Sequence, residues 1–289
     1  MSHNPFCPSV GSLFSGAGLC DLGFHRAGFR HSFFCEADGW CRSVLARHWP
    51  GVPIYTDVRD IDPAALPKVE VLSGGFPCQD VSCGGKRAGI TATSRSGLWY
   101  EYKRIIEGVR PRYAVIENVK GLLSRGMEIV LQDLSDIGYD AEWQSVPAAA
   151  FGAPHLRERV FIVAYPHGSR ADRACGVLSA SQGELAEHVQ YDPVSDWLGI
   201  RIDRASREAI VKAYSGPVLY RVDDGRSHGL DASEGQKPCL PVITQAERKA
   251  WIPRLKALGN GISPQQSEFV ARAICLDAGW PVDARVSGR

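Results

Sequence analysis

The run Gly75-Phe76-Pro77-Cys78-Gln79 sets a thiol just past a short apolar stretch, Val69 to Leu72, and the turn pair Ser73-Gly74. A cysteine at the C-terminal mouth of a strand stands where open α/β sheets place their ligands. Its thiolate can act as a nucleophile. Pro77 stiffens the backbone before it, and Gly74 and Gly75 let another molecule come close. A small buried cysteine would pack as an apolar residue instead. Glu117-Asn118-Val119 ends another apolar run and offers a carboxyl group able to share a proton with a ring nitrogen. As a structural carboxylate, Glu117 would merely cap the next helix. Arg157 and Arg159 bracket a turn in Pro154-His155-Leu156-Arg157-Glu158-Arg159. Their forked donors suit a base carbonyl or a phosphate.

A second set points to an adenosine-containing ligand. Phe14-Ser15-Gly16-Ala17-Gly18 follows the first apolar run and opens a helix, a place for a ligand to meet backbone N–H groups. The third glycine of the dinucleotide fingerprint would fall at Asp21, which disfavours NAD. Glu36 lies about 20 residues on, where a carboxylate grips ribose hydroxyls. Asp57 is expected to end a third strand in the same way and to accept from an adenine amino group.

These residues need a sheet to align them. Short apolar runs at Val10–Phe14, Ser32–Glu36, Ile54–Tyr55, Val69–Leu72, Tyr113–Ile116, Glu142–Val146 and Arg159–Ala164 read as strands. Helical patterns lie between them: from after Gly18 to about Ala27, Asp38 (as cap) to about His48, Leu98–Val109 and Met127–Ile137. Such alternation predicts an α/β fold, a mostly parallel doubly wound sheet covered on both faces. After Tyr165-Pro166 the chain turns rich in Ser, Gly, Asp and Arg. Trp197, Leu198, Ile200, Ile202, Val218, Leu219 and Tyr220 supply a modest core, so 166–251 reads as a small irregular domain. A helix is expected at Pro264–Leu276. The large domain is then 1–165 plus 252–289.

Composition narrows the class. A chain of 289 residues with 44% hydrophobic and 22% charged residues is an ordinary globule of one or two domains. A net charge of +1 neither demands nor excludes nucleic acid, because charge can be segregated. The nine cysteines contain no CxxC pair, which argues against a zinc knuckle. Their odd count suits reduced thiols in a cytosol. No signal-like or membrane-spanning run is present, so a soluble, cytoplasmic protein is expected.

The ordered series Phe-Ser-Gly-Ala-Gly, Glu36, Asp57, Gly-Phe-Pro-Cys-Gln, Glu-Asn-Val, Arg-Glu-Arg and Gly259-Asn260 resembles the DNA (cytosine-5)-methyltransferase family. The resemblance implies a Rossmann-like methyltransferase fold using S-adenosyl-L-methionine and releasing S-adenosyl-L-homocysteine, with double-stranded DNA as partner. It implies no metal, no membrane and a monomer. Cys78 would attack C6 of a flipped-out cytosine. Glu117 would bond N3 and the exocyclic amine, and Arg157 would hold the O2 carbonyl and orient Glu117, with Arg159 beside it. The cofactor would lie over Phe14, Ser15, Gly16, Ala17 and Gly18. Glu36 and Ala37 would meet its ribose and Asp57 and Val58 its adenine, with Gly75, Pro77, Leu98, Asn260 and Gly261 nearby. Gln79, Ser82, Lys86 and Arg87 would reach DNA from a loop that closes over it. Arg201, Arg204 and Arg221 would reach it from the small domain.

The chain departs from the family pattern at His155, where Gln is usual, and in Gly259-Asn260-Gly261-Ile262-Ser263, where Gly-Asn-Ala-Val is commoner. A tRNA cytosine methyltransferase of the same fold is the nearest alternative. That subfamily carries Pro-Pro-Cys and Cys-Phe-Thr, and this chain has neither. A catalytically silent cofactor-binding regulator is a rival of another class, and the Cys78, Glu117 and Arg157 set argues against it.

Overall fold

The computed structural model describes residues 6–77, 97–151, 153, 156–170, 176–178, 189, 220–223, 226–229 and 261–282. Its centre is a seven-stranded sheet ordered β3-β2-β1-β4-β5-β7-β6. The strands are β1 (Ser9–Leu13), β2 (Arg30–Cys35), β3 (Ile54–Tyr55), β4 (Val71–Gly74), β5 (Tyr113–Val119), β6 (Tyr139–Val146) and β7 (Arg159–Pro166). The helices are α1 (Leu19–Arg26), α2 (Gly39–His48), α3 (Leu98–Val109), α4 (Leu122–Arg125), α5 (Met127–Asp136) and α6 (Pro264–Ala278). β1 to β5 run parallel, and β7 is antiparallel to both β5 and β6. This is the mostly parallel, doubly wound, Rossmann-like sheet that the alternation of strands and helices predicts.

Period-2 alternation splits the core between the two faces of the sheet. Leu72, Ala114, Ile116 and Ile162 join a cluster with Trp99, Tyr102, Ile105 and Ile106 of α3. Val71, Val115, Phe161 and Val163 turn the other way, to Phe24 of α1 and Phe269, Val270 and Ile274 of α6. α1 and α6 pack closely: a methyl group added at Gly23 would fall 2.4 Å from the Pro264 carbonyl. Ser267 Oγ donates to the Cys20 carbonyl at 2.9 Å.

By its internal contacts the chain divides into two compact units, 1–192 with 257–289, and 193–256. Residues 167–192 belong to the first unit, although composition assigned them to the insertion. Val177, Leu178 and Val189 join the apolar core between the sheet and α1 and α6. Glu142 of β6 accepts from the backbone N–H groups of Val177 and Leu178. The second unit contains an antiparallel pair, β8 (Tyr220–Asp223) and β9 (Arg226–Gly229). Among the described residues, no helix is long and apolar enough to cross a membrane.

Candidate active site

The register of the sheet gathers the predicted residues at one edge. Leu13 pairs with Cys35 and with Gly74, and Gly74 pairs with Ile116, so β1, β2 and β4 end level with one another and β5 runs three residues past them to Val119. Because β7 runs the other way, it starts at that same edge, where Arg159 faces Val119. From β1 the strand order steps out to β2 and β3, then crosses to β4 and β5. The crevice between the ends of β1 and β4 is therefore the topological switch point, where such sheets bind ligands.

The turn after β1 is built on left-handed backbone, with φ of 55° at Phe14, 56° at Gly16 and 79° at Gly18. Nothing lies within 4 Å of where a Gly16 side chain would begin, so the backbone there faces open space. At Gly18 a methyl group would meet Trp49 at 2.7 Å. Glu36 ties this turn to the end of β2. Its Oε2 accepts from Gly16 N and its Oε1 from Asp38 N, each at 2.7 Å. Glu36 is thus no helix cap; Asp38 caps α2, accepting from Trp40 N and Cys41 N. Ser15 is buried, with its hydroxyl 2.8 Å from that of Ser12, and Ala17 is buried beside it. The Ala37 carbonyl accepts from Arg42.

Asp57 does not end a strand, since β3 stops at Tyr55. It is the N-cap of a one-turn 3-10 helix, Val58–Asp60, and Arg59 grips its carboxylate through Nε at 2.9 Å and Nη2 at 2.5 Å. That grip holds the Asp57 carboxyl down at about 2. Val58 is buried in the core. Arg104 of α3, which sequence reasoning passed over, fastens this turn by donating to the carbonyls of Val58 and Ile61.

Glu117 stands at the centre of the edge. Burial pushes its carboxyl up to about 7, against the pull of Arg159 and, more weakly, Arg157. Arg159 Nε lies 3.1 Å from Glu117 Oε1. A methyl group added at Gly75 would fall 2.5 Å from Glu117 Oε2, so the carboxylate abuts the backbone that leads through Pro77 to Cys78. Asn118 secures that backbone by donating from Nδ2 to the Phe76 carbonyl at 3.2 Å. Glu117 is not a helix cap either: Gly121 holds that place before α4.

The two arginines divide their work differently from the expectation. Arg159, not Arg157, meets Glu117. Arg157 adopts φ of 32°, a left-handed backbone that costs a non-glycine residue about 1–3 kcal/mol. That backbone turns its guanidinium to the Gly261 carbonyl, which accepts from both Nε and Nη2. Gly261 therefore meets the arginines, and Leu98 opens α3 against the core. Cys78, Gln79, Ser82, Lys86, Arg87, His155, Arg201, Arg204 and Asn260 lie outside the described residues, and Arg221 lies on β8. Among the described residues, no group of three or more His, Cys, Asp or Glu side chains could hold a metal.

Comparison with known proteins identifies the family. The family model for C-5 cytosine-specific DNA methylase matches residues 9–199, about two thirds of the chain. Type II methyltransferase M2.BsuMI of Bacillus subtilis is 39% identical over 163 residues, covering 54% of this chain and 41% of that protein. Type II methyltransferase M.AquIA of Picosynechococcus sp. is 34% identical, covering 53% of this chain and 69% of that one. The chain spans less than half the length of several other curated relatives. A solved structure described as a putative DNA modification methyltransferase encoded within an E. coli prophage shares the fold at TM-score 0.58 and 18% identity, covering 94% of this chain and 99% of that one. On these matches, the chain belongs to the C-5 cytosine-specific DNA methylase family.

Proposed function

We propose that this protein transfers a methyl group from S-adenosyl-L-methionine to C5 of a cytosine turned out of double-stranded DNA. One observation carries the reading: a buried carboxyl near neutrality, Glu117, held by Arg159 against the backbone that leads into Cys78.

The residues present fit the cofactor. The backbone at Gly16 faces open space, and beside it Glu36 is fixed by two N–H groups with lone pairs left for ribose hydroxyls. Asp57 keeps acceptor capacity beyond its bonds to Arg59 for an adenine amino group. When bound, S-adenosyl-L-methionine supplies an electrophilic methyl group.

The chain's own residues do the rest. Cytosine C5 is a poor nucleophile until C6 carries an adduct, and a base inside the stack is out of reach. The Cys78 thiolate adds to C6 while protonated Glu117 gives its proton to N3, which leaves electron density on C5. Arg159 holds the carboxylate so formed. Its forked guanidinium suits the O2 carbonyl as well, the part that the family resemblance gives to Arg157. After methylation the C5 proton leaves to a base, Cys78 is expelled and the N3 proton returns to Glu117. Residues 166–251 are proposed to read the DNA sequence.

The test is a mixed-sequence duplex carrying 5-fluorocytosine, incubated with the protein and S-adenosyl-L-methionine. With fluorine in place of the departing proton, wild type should form an adduct that survives denaturation. Cys78→Ser should form none and still bind cofactor. An adduct on tRNA alone would shift the substrate class. Absence of an adduct on either nucleic acid, or lost cofactor binding in Cys78→Ser, would overturn the reading.

A further inference from the structure

Gln266 is fully buried yet touches no part of the proposed chemistry. As third residue of α6 it completes a capping box, its Oε1 accepting from Ser263 N at 3.1 Å. A cap needs no more from it. Its Nε2, however, donates to two carbonyls far away in the chain: Val146 at the end of β6, at 2.5 Å, and Arg157, at 2.9 Å.

Those bonds begin a chain of contacts that ends on Glu117. Gln266 holds the Arg157 carbonyl, and Arg157 adopts its strained φ of 32° there. The Arg157 guanidinium donates to the Gly261 carbonyl, and Arg159 Nη2 reaches that same oxygen at 3.5 Å. Arg159 Nε meets Glu117 at 3.1 Å. Gly261 lies where the chain returns to the sheet edge just before α6. The other side chains near Glu117 do not belong to this clamp. Cys20 of α1 has a thiol pushed up by burial, with Asp21 and Glu117 adding to it. Lys120 and Glu158 pair with each other farther out.

We propose that Gln266 is a positioning residue: through Arg157 and Gly261 it sets Arg159 on Glu117, so the carboxyl is competent only when the returning chain is seated. The word competent rests on the function proposed above; the clamp itself can be read without methyl transfer.

The experiment titrates the Glu117 carboxyl by carbon-13 NMR in the full-length chain, assigned by its loss in Glu117→Gln. Gln266→Leu removes both donors at similar volume. With the arginines loosened, the midpoint should rise by about half a unit or more from its wild-type value. Arg157→Lys, which keeps the charge but cannot fork onto Gly261, should do the same and stands in if Gln266→Leu fails to fold. Single-turnover methyl transfer should fall about tenfold or more in either variant, with cofactor affinity within about twofold of wild type. An unshifted midpoint in the folded variants would overturn the clamp, even if their thermal stability fell. If wild type methylates no DNA, the proposed function fails, while the titration still decides the clamp.

Discussion

Glu117 lies between opposing influences, burial raising its affinity for a proton and two arginines lowering it, with burial the stronger. Methyl transfer that begins from protonated Glu117 should therefore lose rate as pH rises past about 7. Single-turnover rates at saturating DNA and cofactor should show that alkaline limb, and a flat profile from pH 6 to 9 would count against Glu117 as the proton donor. The same shift affects stability. The folded carboxyl titrates above its ordinary 4.5, so its contribution is fully present below that value and is lost as pH rises through about 7. At Glu36, removing the carboxylate also frees the N–H groups of Gly16 and Asp38. Glu36→Ala should weaken cofactor binding by about 1–3 kcal/mol, with methylation largely restored at saturating cofactor. Isothermal titration showing no change would remove Glu36 from the site. Residue types were legible here because chemistry limits them to few choices. That Arg159 rather than Arg157 lies against Glu117 was not, because a non-glycine at φ 32° leaves no mark in the sequence.

At the scale of elements, the turn from β1 into α1 contrasts two glycines. Gly18→Ala sets a methyl group against Trp49 on left-handed backbone and should destabilise the fold by about 1–3 kcal/mol. Gly16→Ala points into open space and should cost about 1 kcal/mol in stability, with its main effect on cofactor affinity. Urea unfolding paired with cofactor titration separates them; equal loss of stability would contradict the contrast. Amphipathic periodicity gave α3 its observed ends, Leu98 and Val109, and Asp38 marked the start of α2. β4 was legible but misplaced by two residues. Its apolar run begins at Val69, whereas pairing with β1 carries the strand through Ser73-Gly74, a pair that reads as a turn. Gly74 is tolerated there, and needed, because a methyl group would fall 2.8 Å from the Leu13 carbonyl. The direction of β7 was invisible, since alternation reports faces and not polarity. α4 is only four residues long, too short for periodicity to reveal.

For the whole molecule, catalysis and sequence reading should separate. Arg201, Arg204, Arg207, Arg221 and Arg226 fall between residues 193 and 256, the second compact unit. Alanine changes there should fall into two kinds. Phosphate contacts should weaken binding to every sequence and flatten its salt dependence. Base contacts should relax one position of the site, at about 1–3 kcal/mol each. Methylation mapping with salt titration tests this, and five silent variants would move recognition to the 79–97 loop. The path of that unit was not legible, because its residues follow neither a helical nor a strand period. The packing of α1 against α6 has a consequence for how the protein is made. Ser267 meets Cys20, and Arg272 reaches the Arg26 carbonyl, across nearly the whole length of the chain. At about 5–20 residues per second, a ribosome delivers that partner roughly 10–50 s after α1 has emerged. Every residue assigned to the base and the cofactor is translated before that helix, while one face of the sheet still lacks its cover. A nascent chain should thus need shelter for its apolar surface, and modification of DNA should begin only when the last helix has docked.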